Sequence, residues 1–135
     1  MMADTLDQIP SLRTHVSHER ASLKLISAVV RPERLDALKD ALGALNLVGG
    51  MTISEVRGFG RQKGATARYK GIPFTPRFIE KIKIDLVITE HDLPEVMDVI
   101  NRHARTGQIG DGKVFVTNVL AALRIRTGEK GEDAL

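Results

Sequence analysis

Three glycines and a lysine stand close together in Gly107-Gln108-Ile109-Gly110-Asp111-Gly112-Lys113, directly before the apolar run Val114-Phe115-Val116. The spacing nearly matches the nucleotide-binding P-loop, in which four residues separate a glycine from Gly-Lys and a Ser or Thr follows. Val114 takes the Ser/Thr place, and the run after it alternates like a strand where a P-loop would open a helix. A P-loop fold is therefore rejected. The physical content of the glycines remains. They permit positive φ and bare backbone N–H groups, which can form an anion-binding nest. Lys113 adds a positive charge at its rim. Two readings stay open from these residues alone: an anion site, or a Gly-rich turn that holds no ligand. Asp111 shares the ambiguity, since its carboxylate could accept a ribose or base hydrogen bond or simply cap the glycine turn.

The cations that could join such a site are Arg61, Lys63, Lys81, Lys113, Arg124 and Arg126. On a strand, Arg124 and Arg126 project from one face, because side chains repeat every two residues. Such a pair can grip phosphates with directional donors. Catalysis finds less support. Cysteine is absent, no Ser and His stand at a convincing spacing, and the acidic residues form no metal-ligand cluster. Gln62 can lend a carbonyl oxygen to Mg²⁺, an ion that usually keeps waters and takes phosphate oxygens as well. His15 and His18 read as part of a solvated tail, and His91 and His103 as capping or surface residues of a helix. Phe59, Phe74 and Phe78 are expected to pack the base of a loop, and Phe115 to join the core.

A chain of 135 residues favours one domain. Aromatics make up only 4% and Trp is absent, so the core must be Leu, Ile and Val. A domain this small buries its own surface only modestly, which favours oligomerisation. The net charge of +3 comes without long basic runs or interleaved aromatics, so nucleic acid is not an expected partner. No stretch approaches the roughly 20 apolar residues of a membrane span, and no basic-then-apolar leader is seen. The expectation is a cytoplasmic protein.

The elements that must position these residues can be read in order. Residues 1–22 are expected to be a flexible N-terminal extension, with a short helix near His18 to Leu23. Leu23 to Val30 reads as a first strand, ended by Arg31-Pro32. Pro32 suits the first turn of a helix. Leu35, Leu38, Leu42 and Leu45 then give that helix one apolar face, and Gly49-Gly50 stops it. Met51 to Val56 alternates as a second strand. A long segment without a clear period follows, and loops of this kind usually carry function. Ile82 to Val87, extending to Thr89, is the third strand. Thr89 or Asp92 is expected to cap a second helix, whose buried side is Leu93, Val96, Met97 and Ile100. Lys113 to Val119 is the fourth strand, and Leu123 to Arg126 a short fifth. The plan is strand-helix-strand twice over, the split βαβ pattern. Two helices cover one sheet face, and the other needs cover, most simply from another copy of the chain.

Three motifs together resemble the PII nitrogen-regulatory signal-transduction family: Arg57-Gly58-Phe59-Gly60-Arg61-Gln62-Lys63-Gly64, the 106–116 glycine run, and Arg124-Ile125-Arg126-Thr127-Gly128. The likeness covers roughly 23–135. The resemblance implies an α+β, ferredoxin-like double βαβ domain, with a four-stranded antiparallel sheet and two helices on one face, assembled as a homotrimer. It implies that ATP and ADP compete in clefts between subunits. Gly110, Asp111, Gly112, Lys113, Arg124 and Arg126 match the family's nucleotide positions, and Gly58, Phe59, Gly60, Arg61 and Lys63 the neighbouring wall. Gln62 matches the residue that helps hold Mg²⁺ in the ATP and 2-oxoglutarate complex. Lys81 matches the residue that pairs with a 2-oxoglutarate carboxylate, with Lys63 and Gly64 beside it. The segment at about 58–79 would be the mobile T-loop. It would contact a metabolic enzyme, a regulator or a membrane transporter, through which a cytoplasmic protein becomes membrane-associated.

The implied function is a non-catalytic sensor. Rival readings are a slow nucleotide-hydrolysing enzyme and a ferredoxin-like protein-interaction module. Two departures bear on regulation. Phe74 stands at the usual uridylylated or adenylylated tyrosine position, and Ile72 at the serine phosphorylated in some photosynthetic relatives. Neither has a hydroxyl, and Tyr69 matches a different family tyrosine. Ala65 and Ala67 replace polar loop residues, while Pro73 joins Pro76 in restricting the loop.

Overall fold

The computed structural model describes residues 22–46, 49–59, 77–135 and the pairs 68–69 and 72–73. The extension at 1–21 and most of the segment expected to be the T-loop lie outside the described residues. β1 (Leu23–Val30) is followed by a single 3₁₀ turn at Pro32–Arg34 and by α1 (Leu35–Ala44). β2 (Met51–Phe59), the two-residue strands β3 (Arg68–Tyr69) and β4 (Ile72–Pro73), and β5 (Phe78–Thr89) come next. A 3₁₀ turn at Glu90–Asp92 leads into α2 (Leu93–Ala104), and β6 (Gly112–Val119) precedes a last 3₁₀ turn at Gly131–Ala134. β3 and β4 pair antiparallel, so the segment expected to lack a period contains a small hairpin.

The four long strands form one sheet in the order β2-β5-β1-β6, and every neighbouring pair is antiparallel. Each βαβ unit is split by a strand of the other. β5 lies between β1 and β2, and β1 lies between β5 and β6. This is the ferredoxin-like arrangement, and neither half can form its sheet alone.

Strand alternation decides the core. Ile26, Ala28 and Val30 stand opposite Leu86, Ile84 and Ile82. With Ile88 they meet Leu38 and Leu42 of α1 and Val96, Val99, Ile100 and Ala104 of α2. Burying each large aliphatic side chain here stabilises the fold by about 1.5–3 kcal/mol. Both helices run as their leucine and valine spacing predicts. Neither Thr89 nor Asp92 caps α2 with a side chain. The Thr89 hydroxyl donates to Asp92 Oδ2 instead, at 3.0 Å.

Three further expectations change. Phe115 is not core: it is 57% exposed. Val114 and Val116 stand opposite Ala28 and Ile26, so strand parity turns Phe115, opposite Ser27, to the face away from the helices. The second and third strands are longer than expected, because β2 and β5 continue pairing to Phe59 and Phe78. Those two rings meet at 5.8 Å between centroids, at the base of the long loop as anticipated. The fifth strand is absent. Leu123 makes only an isolated bridge to Lys130, and 125–127 is a turn. Gly128, at φ +75°, turns the chain back on itself.

Gly112 is the tightest backbone position in the sheet. Its φ is +100°, and a Cβ there would lie 1.8 Å from the Val29 carbonyl oxygen. Gly112→Ala is expected to destabilise the fold by about 3 kcal/mol or more, read as a lower urea midpoint. An unchanged midpoint would contradict the closeness of β1 and β6.

Candidate functional site: the glycine corner

The register of β1 against β6 sets Val30 opposite Gly112. It therefore carries Arg31, just past the end of β1, to Asp111, just before β6. Arg31 Nε donates to Asp111 Oδ1 at 2.9 Å, and another guanidinium nitrogen donates to the Ile109 carbonyl at 2.7 Å. Glu33 Oε1 lies 3.8 Å from the same guanidinium. The Arg31 and Asp111 side chains are 22% and 23% exposed, so the pair is partly shielded from water.

Asp111 also closes the corner from within. Its carboxylate accepts from the Thr106 N–H at 2.8 Å and the Gly107 N–H at 2.9 Å, and from the Thr106 hydroxyl. The Gln108 N–H in turn donates to Thr106 Oγ1 at 3.3 Å. Of the two readings left open for Asp111, the turn cap is the one observed. The amides of 106, 107 and 108 are not bare, because Asp111 and Thr106 already accept from them. The Asp111 carboxyl is held far below the usual carboxylate range. The Thr106 hydroxyl is the chief cause and Arg31 the second, with the two amides adding to them.

β5 supplies the third member. The Lys81 ammonium donates to the Gly110 carbonyl. Burial pushes the Lys81 pKa below its ordinary value, and the neighbouring Arg31 charge lowers it further, while Glu33 and Asp111 oppose. Gly110 has φ +100°, and a Cβ there would stand 3.3 Å from Arg31 and 3.5 Å from Lys81 Nζ. Gly58 of β2 leaves room beside the Lys81 stem, with its own missing Cβ 3.5 Å from Lys81 Cγ. The corner thus brings together Gly110, Asp111, Gly112, Lys81 and Gly58 from the sequence-predicted set. Lys113, the second residue of β6, lies beside it and is exposed. A groove of about 630 Å³ runs from Asp111, Gly112 and Lys113 along the inner end of α2, past Met97, Asn101 and Arg105.

Other predicted residues are placed elsewhere. Phe59 is 65% exposed and faces Phe78. Arg124 bonds within its own segment, and among the described residues no hydrogen bond joins Arg124 or Arg126 to the corner. With the fifth strand gone, the two arginines do not share a strand face. Gly60, Arg61, Gln62, Lys63 and Gly64 lie outside the described residues, as does Phe74, while of Ile72 only the backbone is described. Arg31 was missed by sequence reasoning, which took Arg31-Pro32 only as the end of a strand. No local signal marks it; the β1–β6 register alone brings it to Asp111. Among the described residues no group of three His, Asp or Glu could hold a metal ion. No described helix is long and apolar enough to cross a membrane.

The fold and this corner define a class, a ferredoxin-like α+β domain with a glycine turn held by paired cations beside the stem of a long loop. A family model described as nitrogen regulatory protein P-II matches residues 23–129, and the chain belongs to that family. It is 50% identical over 113 residues to the nitrogen regulatory protein P-II of Synechocystis, spanning 84% of this chain and all of that one. The nitrogen regulatory protein GlnK of Escherichia coli is 42% identical over the same spans. Among solved structures, the B. subtilis GlnK–ATP complex superimposes with a TM-score of 0.70 at 32% identity, over 84% of this chain and 98% of that one. Arabidopsis thaliana PII bound to citrate gives 0.69 at 34% identity, over 90% and 99%. The resemblance read from the three motifs is thereby borne out.

The depressed Asp111 pKa gives a pH test. A carboxyl held low by folding contributes fully above its unfolded value of about 4 and is lost only as pH falls through the folded value. Hydrogen-exchange protection of the Thr106 and Gly107 amides should therefore survive a titration from neutrality to about pH 4 and fail only in stronger acid. In Asp111→Ala the same amides should exchange fast throughout. Loss of wild-type protection across the ordinary carboxylate range would refute the arrangement.

Proposed function

We propose that this chain is a non-catalytic nitrogen-status sensor that binds ATP or ADP competitively, and 2-oxoglutarate together with Mg-ATP. It would signal to an enzyme, regulator or transporter through its T-loop. The observation that carries the reading is the Lys81–Gly110 contact. It ties β5, which leads directly out of the long loop, to the glycine corner, so an anion that draws Lys81 away disturbs both at once. The B. subtilis GlnK structure with ATP and the Arabidopsis PII structure with citrate support a triphosphate and a carboxylate ligand.

Lys113, Arg124 and Arg126 are assigned to the phosphates, and Lys81 to a 2-oxoglutarate carboxylate, with Gly58, Phe59, Gly60, Arg61 and Lys63 as the wall. Gln62, Lys63 and Gly64 complete the 2-oxoglutarate side. Mg²⁺ suits the donors on offer, an amide oxygen of Gln62 plus phosphate and carboxylate oxygens of the ligands, a hard-oxygen set. When bound, it offsets the charge between triphosphate and dicarboxylate. A non-catalytic role is supported by Asp111, whose carboxylate already accepts from four donors and is too acidic to take a proton near neutral pH.

The domain is assigned to 23–135, with 1–22 as an extension, and the assembly is a homotrimer in the cytoplasm. The face carrying Phe115, together with Leu120, Leu123 and Ile125 beyond β6, leaves large apolar side chains exposed, and copies of the chain would cover them. Covalent switching through tyrosine or serine is excluded from the proposal by Phe74 and Ile72.

Titration calorimetry tests the sensor. ATP with Mg²⁺ should bind, and 2-oxoglutarate should tighten it by a coupling of about 1–3 kcal/mol. Failure to bind ATP at millimolar concentration would overturn the reading. Lys81→Ala should cost the dicarboxylate about 1.5–3 kcal/mol and ATP alone much less, whereas Lys113→Ala should weaken both nucleotides. Equal losses for every ligand in both variants would contradict the division of roles. Incubation with a uridylyltransferase and UTP should leave the mass of the 65–78 peptide unchanged, and an added uridylyl group there would overturn the loss of covalent switching.

A further inference from the structure

Arg124 already has an anion-like partner supplied by its own chain. One guanidinium nitrogen donates to Glu129 Oε1 at 3.1 Å, and the other to the Leu135 carbonyl oxygen. A small hairpin shapes this arrangement. The Arg124 N–H donates to the Glu129 carbonyl at 2.8 Å, and the Gly131 N–H to the Ala122 carbonyl at 3.0 Å. The 3₁₀ turn Gly131–Ala134 then delivers Leu135 to the start of β2. There Leu135 lies so close to Gly49 that a Cβ on Gly49 would meet the Leu135 carbonyl carbon at 2.6 Å and its Cα at 3.1 Å.

We infer that residues 129–135 are an intrachain latch, which occupies Arg124 in the ligand-free protein and must leave before Arg124 can take an anionic ligand. A carboxylate and a carbonyl on one guanidinium mimic the oxygens of a phosphate. The latch is built to release. Ala134 and Leu135 wall a hollow of about 330 Å³ on the helix-free side of the sheet, with Leu25, Thr52, Asp85 and Val87. Within it Asp85 Oδ1 is buried and, among the described residues, has no hydrogen-bond partner. The latch thus leaves a desolvated acceptor unanswered, and its seat is imperfect. The inference rests on the assignment of Arg124 to the nucleotide's phosphates and adds an internal competitor to it. A site open part of the time binds with its intrinsic Kd divided by the open fraction.

The test uses the full chain with ATP as probe. Gly49→Ala pushes Leu135 off β2, and Glu129→Gln removes the charge that pairs with Arg124, each leaving the Arg124 side chain itself in place. Both should tighten ATP by about threefold to tenfold, and Arg124→Ala should abolish that gain in either background. In the wild-type chain, saturating ATP should speed hydrogen exchange at the Gly131 and Leu135 amides. If ATP binds while those amides stay protected, the latch is wrong and the sensor reading stands. The latch is equally wrong if both variants lose Leu135 protection without any gain in affinity. If ATP binds neither the wild-type chain nor the variants, both ideas fall. The exchange measurement on the wild-type chain decides the matter even if Gly49→Ala folds poorly.

Discussion

The Asp111 carboxylate gathers donors from both sides of the β1–β6 junction: Arg31 from beyond β1, and Thr106 and Gly107 from the turn after α2. Three constraints meet in that one group. The two strands must close to a separation that only glycine at 112 permits. The turn must supply its amides inward. A cation must stand at the end of β1 to balance the charge. Because the donors converge on one carboxylate, the corner is stiff before any ligand arrives, and preorganisation of this kind lowers the cost of binding.

Lys81 extends the same network to β5. Its ammonium is partly shielded from water and sits beside another cation, and both depress its pKa. A positive group held in that way has reason to accept an anion, since an incoming carboxylate would relieve the repulsion from Arg31. The position also explains why β2 and β5 continue so far: pairing to Phe59 and Phe78 makes a firm stem beneath the long loop. The stem and the corner are then parts of one unit, joined through Lys81. Arg124 lies outside that unit in the isolated chain, held by its own hairpin.

The fold was legible because its signals are periodic. Alternation in β1 and β5 and the leucine spacing of α1 report which side meets the core, and the four long strands and both helices emerged in the expected order, with β2 and β5 extended toward the long loop. Errors arose where period carries no information. Leu123-Arg124-Ile125-Arg126 alternates like a strand, yet Thr127-Gly128 turns it back before it can pair. Phe115 was assigned to the core by residue type, when parity set it on the other face.

The sequence by itself determined the family, the double βαβ order and the glycine turn, because motif spacing and side-chain period are local properties that survive without coordinates. The tertiary structure alone decided that Arg31 belongs to the corner, that Asp111 caps it, and that Arg124 is held elsewhere. Those contacts join residues 80, 5 and 11 positions apart, and register and chain reversal, not composition, set which of them meet.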